Sequence, residues 1–417
     1  MRNLSAGAGR RRAARAAAAM LGAGVVAAGV VAAGLVAACG GVATAAAGGS
    51  RASSGPGTVL AAGQAGARPA VPWRRVGPGW VLAEYWNGRY PAGGKPVGRS
   101  AAAPKAIAAP AIRYLVDPAG RRYQLYRTAP TTSPPVLVDW SGDKTRALLQ
   151  TAIAGGVEQV TLATGAVSKP VKLAGQASVI GVIGYTRPSG LNLLALRWFG
   201  AREQLARYSL TGALTKILAT GTGTDLGPGV YSGDGTTLAV GAARGLQLVS
   251  NSGEVVRSLP VAGTSCGAVR WWNPGTILAS CTGTAGTVSD RMWLVPAGGG
   301  RSRALSLERA GDAGDLGDIG AWQLPSGLYF QALGPCGTVQ IFRQQANGSV
   351  TLVTVPHSSG NNQVLGAYQA QLLVQAPIGC SASAALLWFD PSTRHERMLL
   401  SSGVVGAVPY GLPDNSR

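Results

Sequence analysis

Ionisable side chains are sparse in this sequence, and the few that cluster set the first expectations about chemistry. Asp312, Asp315 and Asp318 stand three residues apart on a Gly-rich segment. Carboxylate oxygens are hard ligands, so such a loop could hold Ca²⁺. The spacing differs from the alternate-residue pattern of a calcium-binding loop and no bidentate glutamate follows, which favours a solvated loop between structural units. The sequence has two histidines. His357 follows the apolar run 350–355 and His395 sits in a charged turn at 393–397, so both are expected on the solvated surface. No Gly-x-Ser-x-Gly elbow places a serine on a strand-to-helix turn, the local context that a Ser-His-Asp hydrolase of that type needs. No catalytic residue and no cofactor is assigned. Trp271, Trp272 and Trp322 could stack on a sugar ring or pack between sheets.

The first 38 residues read as an export signal. Arg2, Arg10, Arg11, Arg12 and Arg15 precede an uncharged Ala/Gly/Val run that reaches Ala38. At its end, Leu35-Val36-Ala37-Ala38-Cys39-Gly40 resembles the bacterial lipobox, in which small residues precede a cysteine that is lipidated after cleavage. That resemblance implies a lipoprotein anchored through Cys39, two acyl chains burying far more methylenes than one. The alternative is an uncleaved spanning segment over 16–38, although Ala and Gly contribute little insertion energy. Loss of the five leader arginines leaves 32 basic against 17 acidic residues, a net charge of +15. Such an excess suits an anionic surface, either headgroups or envelope polymers. No basic run with interleaved aromatics marks a nucleic-acid site, and none is expected to be bound.

These residues need a scaffold, and the rest of the chain describes one. Residues 39–70 are Ala, Gly, Ser and Pro with almost no large apolar side chain, the composition of a flexible tether. From Val71 to the C-terminus the texture changes to short apolar runs punctuated by turn residues. One series of hairpins turns at Gly120, Gly165, Gly212, Gly253, Gly298, Gly348 and Ser392, in steps of 45, 47, 41, 45, 50 and 44 residues. That interval matches one four-stranded propeller blade, and seven hairpins imply seven blades. A second series turns between these, at Gly142, Gly190, Gly235, Gly275, Gly327 and Gln369, each followed by a nearly continuous apolar run. Those runs are expected to be buried inner strands packed against a neighbouring blade on each side.

Only six complete inner hairpins follow Gly120, so the chain ends must build the remaining blade. Gly77-Pro78-Gly79-Trp80-Val81-Leu82 resembles Asn273-Pro274-Gly275-Thr276-Ile277-Leu278, and 403–410 resembles 179–185. The expectation is an all-β, seven-bladed β-propeller closed by pairing of N- and C-terminal strands, which leaves no exposed edge around the ring. A Pro/Ala-rich insertion, 87–111, interrupts the first blade. The inner copies Ser141-Gly142-Asp143-Lys144-Thr145 and Ser232-Gly233-Asp234-Gly235-Thr236 resemble repeats of the TolB-like and WD40-like propeller superfamily, over roughly 77–410. The Gly-His and Trp-Asp signatures of the WD40 consensus are missing.

On this scaffold Cys266 and Cys281 flank the Asn273-Pro274-Gly275 turn symmetrically and should face each other across one hairpin. Cys336 and Cys380 each follow an inner strand in consecutive blades, which suits a second disulfide between blades; metal binding is the rival, with no CxxC spacing to support it. The functional expectation is a lipid-anchored, extracytoplasmic binding or scaffolding propeller that contacts a protein or an anionic envelope polymer at the cell membrane. The alternatives are a propeller enzyme (lyase, lactonase or quinoprotein-like) and a sugar or small-ligand sensor.

Overall fold

The structure, a computed structural model, describes residues 71–88, 106–151, 156–175, 179–222, 226–261, 265–282, 290–306, 317–333, 339–358, 360–377 and 384–411. The expected leader 1–38 and tether 39–70, with Cys39, Cys336, Cys380, Asp312, Asp315 and most of 87–111, lie outside the described residues.

Among the described residues, 27 strands form seven antiparallel meanders. Blade 1 holds β1–β3 (Val81–Tyr85, Ile112–Val116, Arg122–Arg127), and blade 2 holds β4–β7 (Val136–Trp140, Arg146–Gln150, Gly156–Thr161, Val171–Lys172). Blade 3 is β8–β11 (Val179–Tyr185, Asn192–Phe199, Arg202–Ser209, Leu214–Thr222) and blade 4 is β12–β15 (Val230–Tyr231, Thr237–Ala242, Gly245–Ser250, Val255–Pro260). Blade 5 is β16–β19 (Cys266–Asn273, Thr276–Thr282, Asp290–Pro296, Arg303–Ala304) and blade 6 is β20–β23 (Asp318–Leu324, Gly327–Leu333, Val339–Gln344, Val350–Val353). Blade 7 contributes β24–β26 (Gln363–Tyr368, Gln371–Pro377, Ala384–Asp390) and shares β27 (His395–Pro409) with blade 1.

The closure follows the expected pairing. The first part of β27 pairs β26, with Asp390 opposite His395 and Leu386 opposite Leu400. Its second part pairs β1, with Val81 opposite Pro409, Leu82 opposite Val408 and Ala83 opposite Ala407. One strand therefore serves two blades, and the hand-over lies at Gly403. Its φ of +74° belongs to the left-handed region, and a Cβ there would stand 2.3 Å from the Tyr85 ring. Only glycine suits both conditions.

The apolar runs after the inner turns are the second strand of each blade, and the strand before each turn is the innermost. Their side chains alternate between the two flanking interfaces. Leu148 packs toward blade 3 while Ala147 and Leu149 pack toward blade 1. Leu194 faces blade 4 and Leu193 faces blade 2; Leu278 faces blade 6 and Ile277 faces blade 4. Burying both faces explains why these strands read as continuous apolar runs rather than strict alternation. The core is thus a ring of inter-blade layers rather than a single centre.

Both hairpin series turn on one face of the ring, because first-to-second and third-to-fourth connections of a meander share an end. The 3₁₀ turn Trp73–Arg75 leads into this ring, and Val71, Val76 and Trp80 join the apolar layer between blades 1 and 2. The end of the insertion is packed as well. Trp86 Nε1 donates to Ala109 O at 3.0 Å, and Ala111 is fully buried. The Cys266–Cys281 disulfide joins directly opposed residues of β16 and β17, with Cα atoms 4.0 Å apart. Among the described residues no helix is long and apolar enough to cross a membrane.

Candidate ligand cleft

The polar side chains buried in this ring form a system that sequence reasoning did not find. Every blade junction carries a side-chain stitch to a neighbouring backbone. Glu84 on β1 lies opposite Arg113 on β2, and its Oε1 accepts from Arg113 Nη2 at 2.7 Å. Glu84 Oε2 accepts from Leu137 N of blade 2 at 2.7 Å, while Arg113 Nη2 also donates to Pro135 O. Both side chains are essentially inaccessible to solvent. Burial pushes the Glu84 carboxyl up, and the Arg113 charge and the Leu137 N–H pull against that shift.

At the junction of blades 2 and 3, Asp139 and Arg187 form a bidentate pair. Arg187 Nη2 reaches Asp139 Oδ1 at 2.8 Å and Nη1 reaches Oδ2 at 3.0 Å. Asp139 also accepts from Tyr185 N at 2.8 Å and from Trp140 N at 2.7 Å. Bulges between Leu137 and Asp139 in β4, and between Val182 and Gly184 in β8, re-aim these strands where the carboxylate crosses. The Arg187-Pro188 segment wedges against the inner turn of blade 2, where a Cβ on Gly142 would lie 1.8 Å from Pro188 O. Around the ring, Glu203 Oε2 accepts from Leu226 N, Trp271 Nε1 donates to Val230 O, and Ser280 Oγ donates to Asp318 O. Gln331 Oε1 accepts from Val364 N, and Arg122 Nε donates to Leu399 O across the closing junction. The stitches made by Glu84, Asp139, Glu203 and Arg122 involve charged groups, typically about 1.5–3 kcal/mol each, and the neutral ones contribute about 0.5–1.5 kcal/mol; together they fix the blades in register.

Within this frame a cleft of about 760 Å³ is walled by the innermost strands of blades 2 to 5 and by the inner turns of blades 4 and 5. Asp139, Tyr185, Arg187, Tyr231, Arg270 and Trp271 line its sides, and Asp234 and Asn273 its rim. Its formal charges balance, two carboxylates against two guanidiniums. Arg270 is buried, donates to Ala321 O of blade 6, and is flanked by the rings of Trp272 and Trp322, with centroids 5.1 and 5.4 Å from its Cζ. That cation–π sandwich holds the guanidinium in place. Burial pushes the Tyr231 phenol up to about 12, against the pull of Arg207 and Arg187, and pushes Tyr185 up as well. Both phenols therefore remain protonated donors at neutral pH. On the rim, hydrogen bonds from Ser232 Oγ at 2.5 Å and from Thr236 N and Oγ1 hold the Asp234 carboxyl below the usual carboxylate range. The site offers fixed donors, fixed acceptors and aromatic faces.

The residues singled out in the sequence are dispersed. Asp318 is buried in β20, with its carbonyl accepting from Ser280, so it does not stand on a solvated loop. Its companions Asp312 and Asp315 lie outside the described residues. Among the described residues no group of three or more His, Cys, Asp or Glu is placed to hold a metal. His357 is 83% exposed, with Nε2 3.7 Å from Glu396 Oε1, and His395 is exposed on β27. Asp143 and Asp234, in the two copies that carry the superfamily resemblance, close their own turns through Ser and Thr. Of the three tryptophans, Trp271 lines the cleft, while Trp272 and Trp322 hold Arg270. A signal for the missed stitches existed: a glutamate within Val81-Leu82-Ala83-Glu84-Tyr85 must be paired if that run is buried.

No known protein-family model matches the chain, and no curated protein matches its sequence. Solved structures that resemble it include TolB from Acinetobacter baumannii, 13% identical with a TM-score of 0.43, the match covering 81% of this chain and 67% of that one. The periplasmic gluconolactonase PpgL of Pseudomonas aeruginosa is 15% identical with a TM-score of 0.44, covering 80% of this chain and 98% of that one. The β-propeller domain of the Trilobed protease from Pyrococcus furiosus is 11% identical with a TM-score of 0.43, covering 71% of this chain and 93% of that one. At these identities the likeness is one of fold alone.

Proposed function

We propose that this protein is a non-catalytic binding platform held at the outer face of the cytoplasmic membrane by a lipid on Cys39, where it contacts a protein or an anionic envelope polymer. The carrying observation is the rigid cleft: its ionisable groups are tied to backbone, to one another or to aromatic rings, which suits recognition by fixed geometry. The leader arginines, the lipobox-like residues ending at Cys39 and the +15 charge of the remaining chain support the address and the attraction to anionic surfaces. Cross-linked full-length protein, captured from detergent extracts, should retain a defined partner that a Cys39→Ala variant loses. Recovery of no partner, together with turnover of a substrate by the purified protein, would reject the platform in favour of an enzyme. Persistence of Cys39→Ala in the membrane fraction would favour a spanning 16–38 segment.

A further inference from the structure

We infer that the cleft between blades 2 and 5 binds a short segment of uncharged glycan, with Trp271 as its stacking surface. The inference rests on reading the propeller as a binding protein and adds the ligand class. Volume comes first. About 760 Å³ falls within the range of clefts that enclose small molecules and exceeds what a single ion or water cluster needs. Charge comes second. The lining carries Asp139 and Asp234 against Arg187 and Arg270, and Asp139 and Arg187 satisfy each other directly. An anionic ligand would meet the Asp234 carboxylate on the rim, and a cationic one would find Asp139 already neutralised by Arg187 and Asp234 already held by Ser232 and Thr236. A neutral ligand meets neither penalty.

The third observation is the mixture of hydrogen-bonding groups. Asp234 offers acceptors, Tyr231 and Thr237 offer hydroxyls, and Asn273, whose Oδ1 is occupied by Gly275 N, keeps its amide N–H₂ for donation. Vicinal hydroxyls both donate and accept, and so use such a set fully. Trp271 supplies the remaining element. Its Nε1 is fixed on Val230 O at 3.2 Å, so its half-buried ring is held in one orientation at the cleft wall. A pyranose presents an apolar C–H face that packs on an aromatic plane while its hydroxyls reach outward. The long-range attraction of the basic chain to an envelope and the recognition of a neutral segment of it are then separate tasks, performed by net charge and by the cleft.

Full-length protein in detergent micelles should be titrated with maltotriose, cellotriose and triacetylchitotriose, with tri-galacturonate and an extended tetrapeptide as contrasts, following tryptophan emission and heat. The expected result is saturable binding of at least one neutral trisaccharide, weakened at least tenfold by Trp271→Ala and less by Trp271→Phe. Asp234→Asn should weaken binding several-fold and leave folding unchanged by circular dichroism. Binding only of tri-galacturonate, only of the peptide, or of none of the five overturns the inference. Chromatography of the saccharide after incubation separates the two levels of the account. A bound, intact sugar supports both, a cleaved sugar removes the non-catalytic platform, and partner capture without sugar binding removes the glycan assignment alone.

Discussion

Replacing Asp139 by asparagine should destabilise the ring out of proportion to the size of the change. Asp139 and Arg187 are 12% and 13% exposed, so solvent screens their attraction only weakly. The carboxylate accepts two bonds from the guanidinium and one each from Tyr185 N and Trp140 N. Asparagine keeps one oxygen, turns a donor toward Arg187 and leaves a buried cation without its counter-charge. Removing one partner of a buried pair costs about 3–5 kcal/mol, and the retained oxygen places Asp139→Asn near the lower end, about 3 kcal/mol. Equilibrium urea unfolding of the full-length protein, followed by tryptophan emission, measures it as a fall in midpoint at unchanged slope. The double variant Asp139→Leu/Arg187→Met should be destabilised by less than the sum of its singles, because it leaves no orphaned charge, only the Tyr185 and Trp140 N–H groups without their acceptor. A loss under about 0.5 kcal/mol for Asp139→Asn, or a double variant equal to the sum of its singles, would refute the reasoning.

Other consequences are as direct. Leu148→Ala, at a fully buried second-strand position between blades 2 and 3, should cost about 2–5 kcal/mol in the same unfolding assay. Reduction of Cys266–Cys281, or its replacement by Ser at both positions, opens a loop of sequence separation 15 and should cost about 3 kcal/mol, read as a lowered urea midpoint. Asp234 titrates below the usual carboxylate range because Ser232 and Thr236 donate to it. Its contribution to stability is therefore present above the unfolded carboxyl pKa and is lost as pH falls through the lower folded value. Thr236→Val should raise its titration midpoint in a ¹³C carboxylate NMR titration, and an unchanged midpoint would contradict the assignment.

The fold was legible in the sequence because a propeller writes its period into turn residues. The outer turns at Gly120, Gly165, Gly212, Gly253 and Gly348 all take positive φ, so their spacing marked real blade boundaries. The match between 403–410 and 179–185 was informative because both segments are innermost strands. The Cys266–Cys281 pairing followed from symmetry about one turn. The site was far less legible. Asp139 and Arg187 are 48 residues apart, and their meeting depends on bulges in two strands that no local pattern announces. The acidic cluster drew attention through composition alone, yet Asp318 belongs to a strand core. Trp271 and Trp272 are adjacent in β16 and serve different ends, because successive side chains of a strand point to opposite faces, here toward different blade interfaces.

Disulfide mapping by mass spectrometry of a mildly oxidised Ala83→Cys/Ala407→Cys protein most directly tests the claim that the last strand shuts the ring. These residues are directly opposed and buried. A peptide containing position 83 linked to one containing position 407, in a soluble and folded protein, is the predicted result. Both thiols free, or linked only to native cysteines, would place the two termini apart and contradict the closed propeller on which the cleft depends.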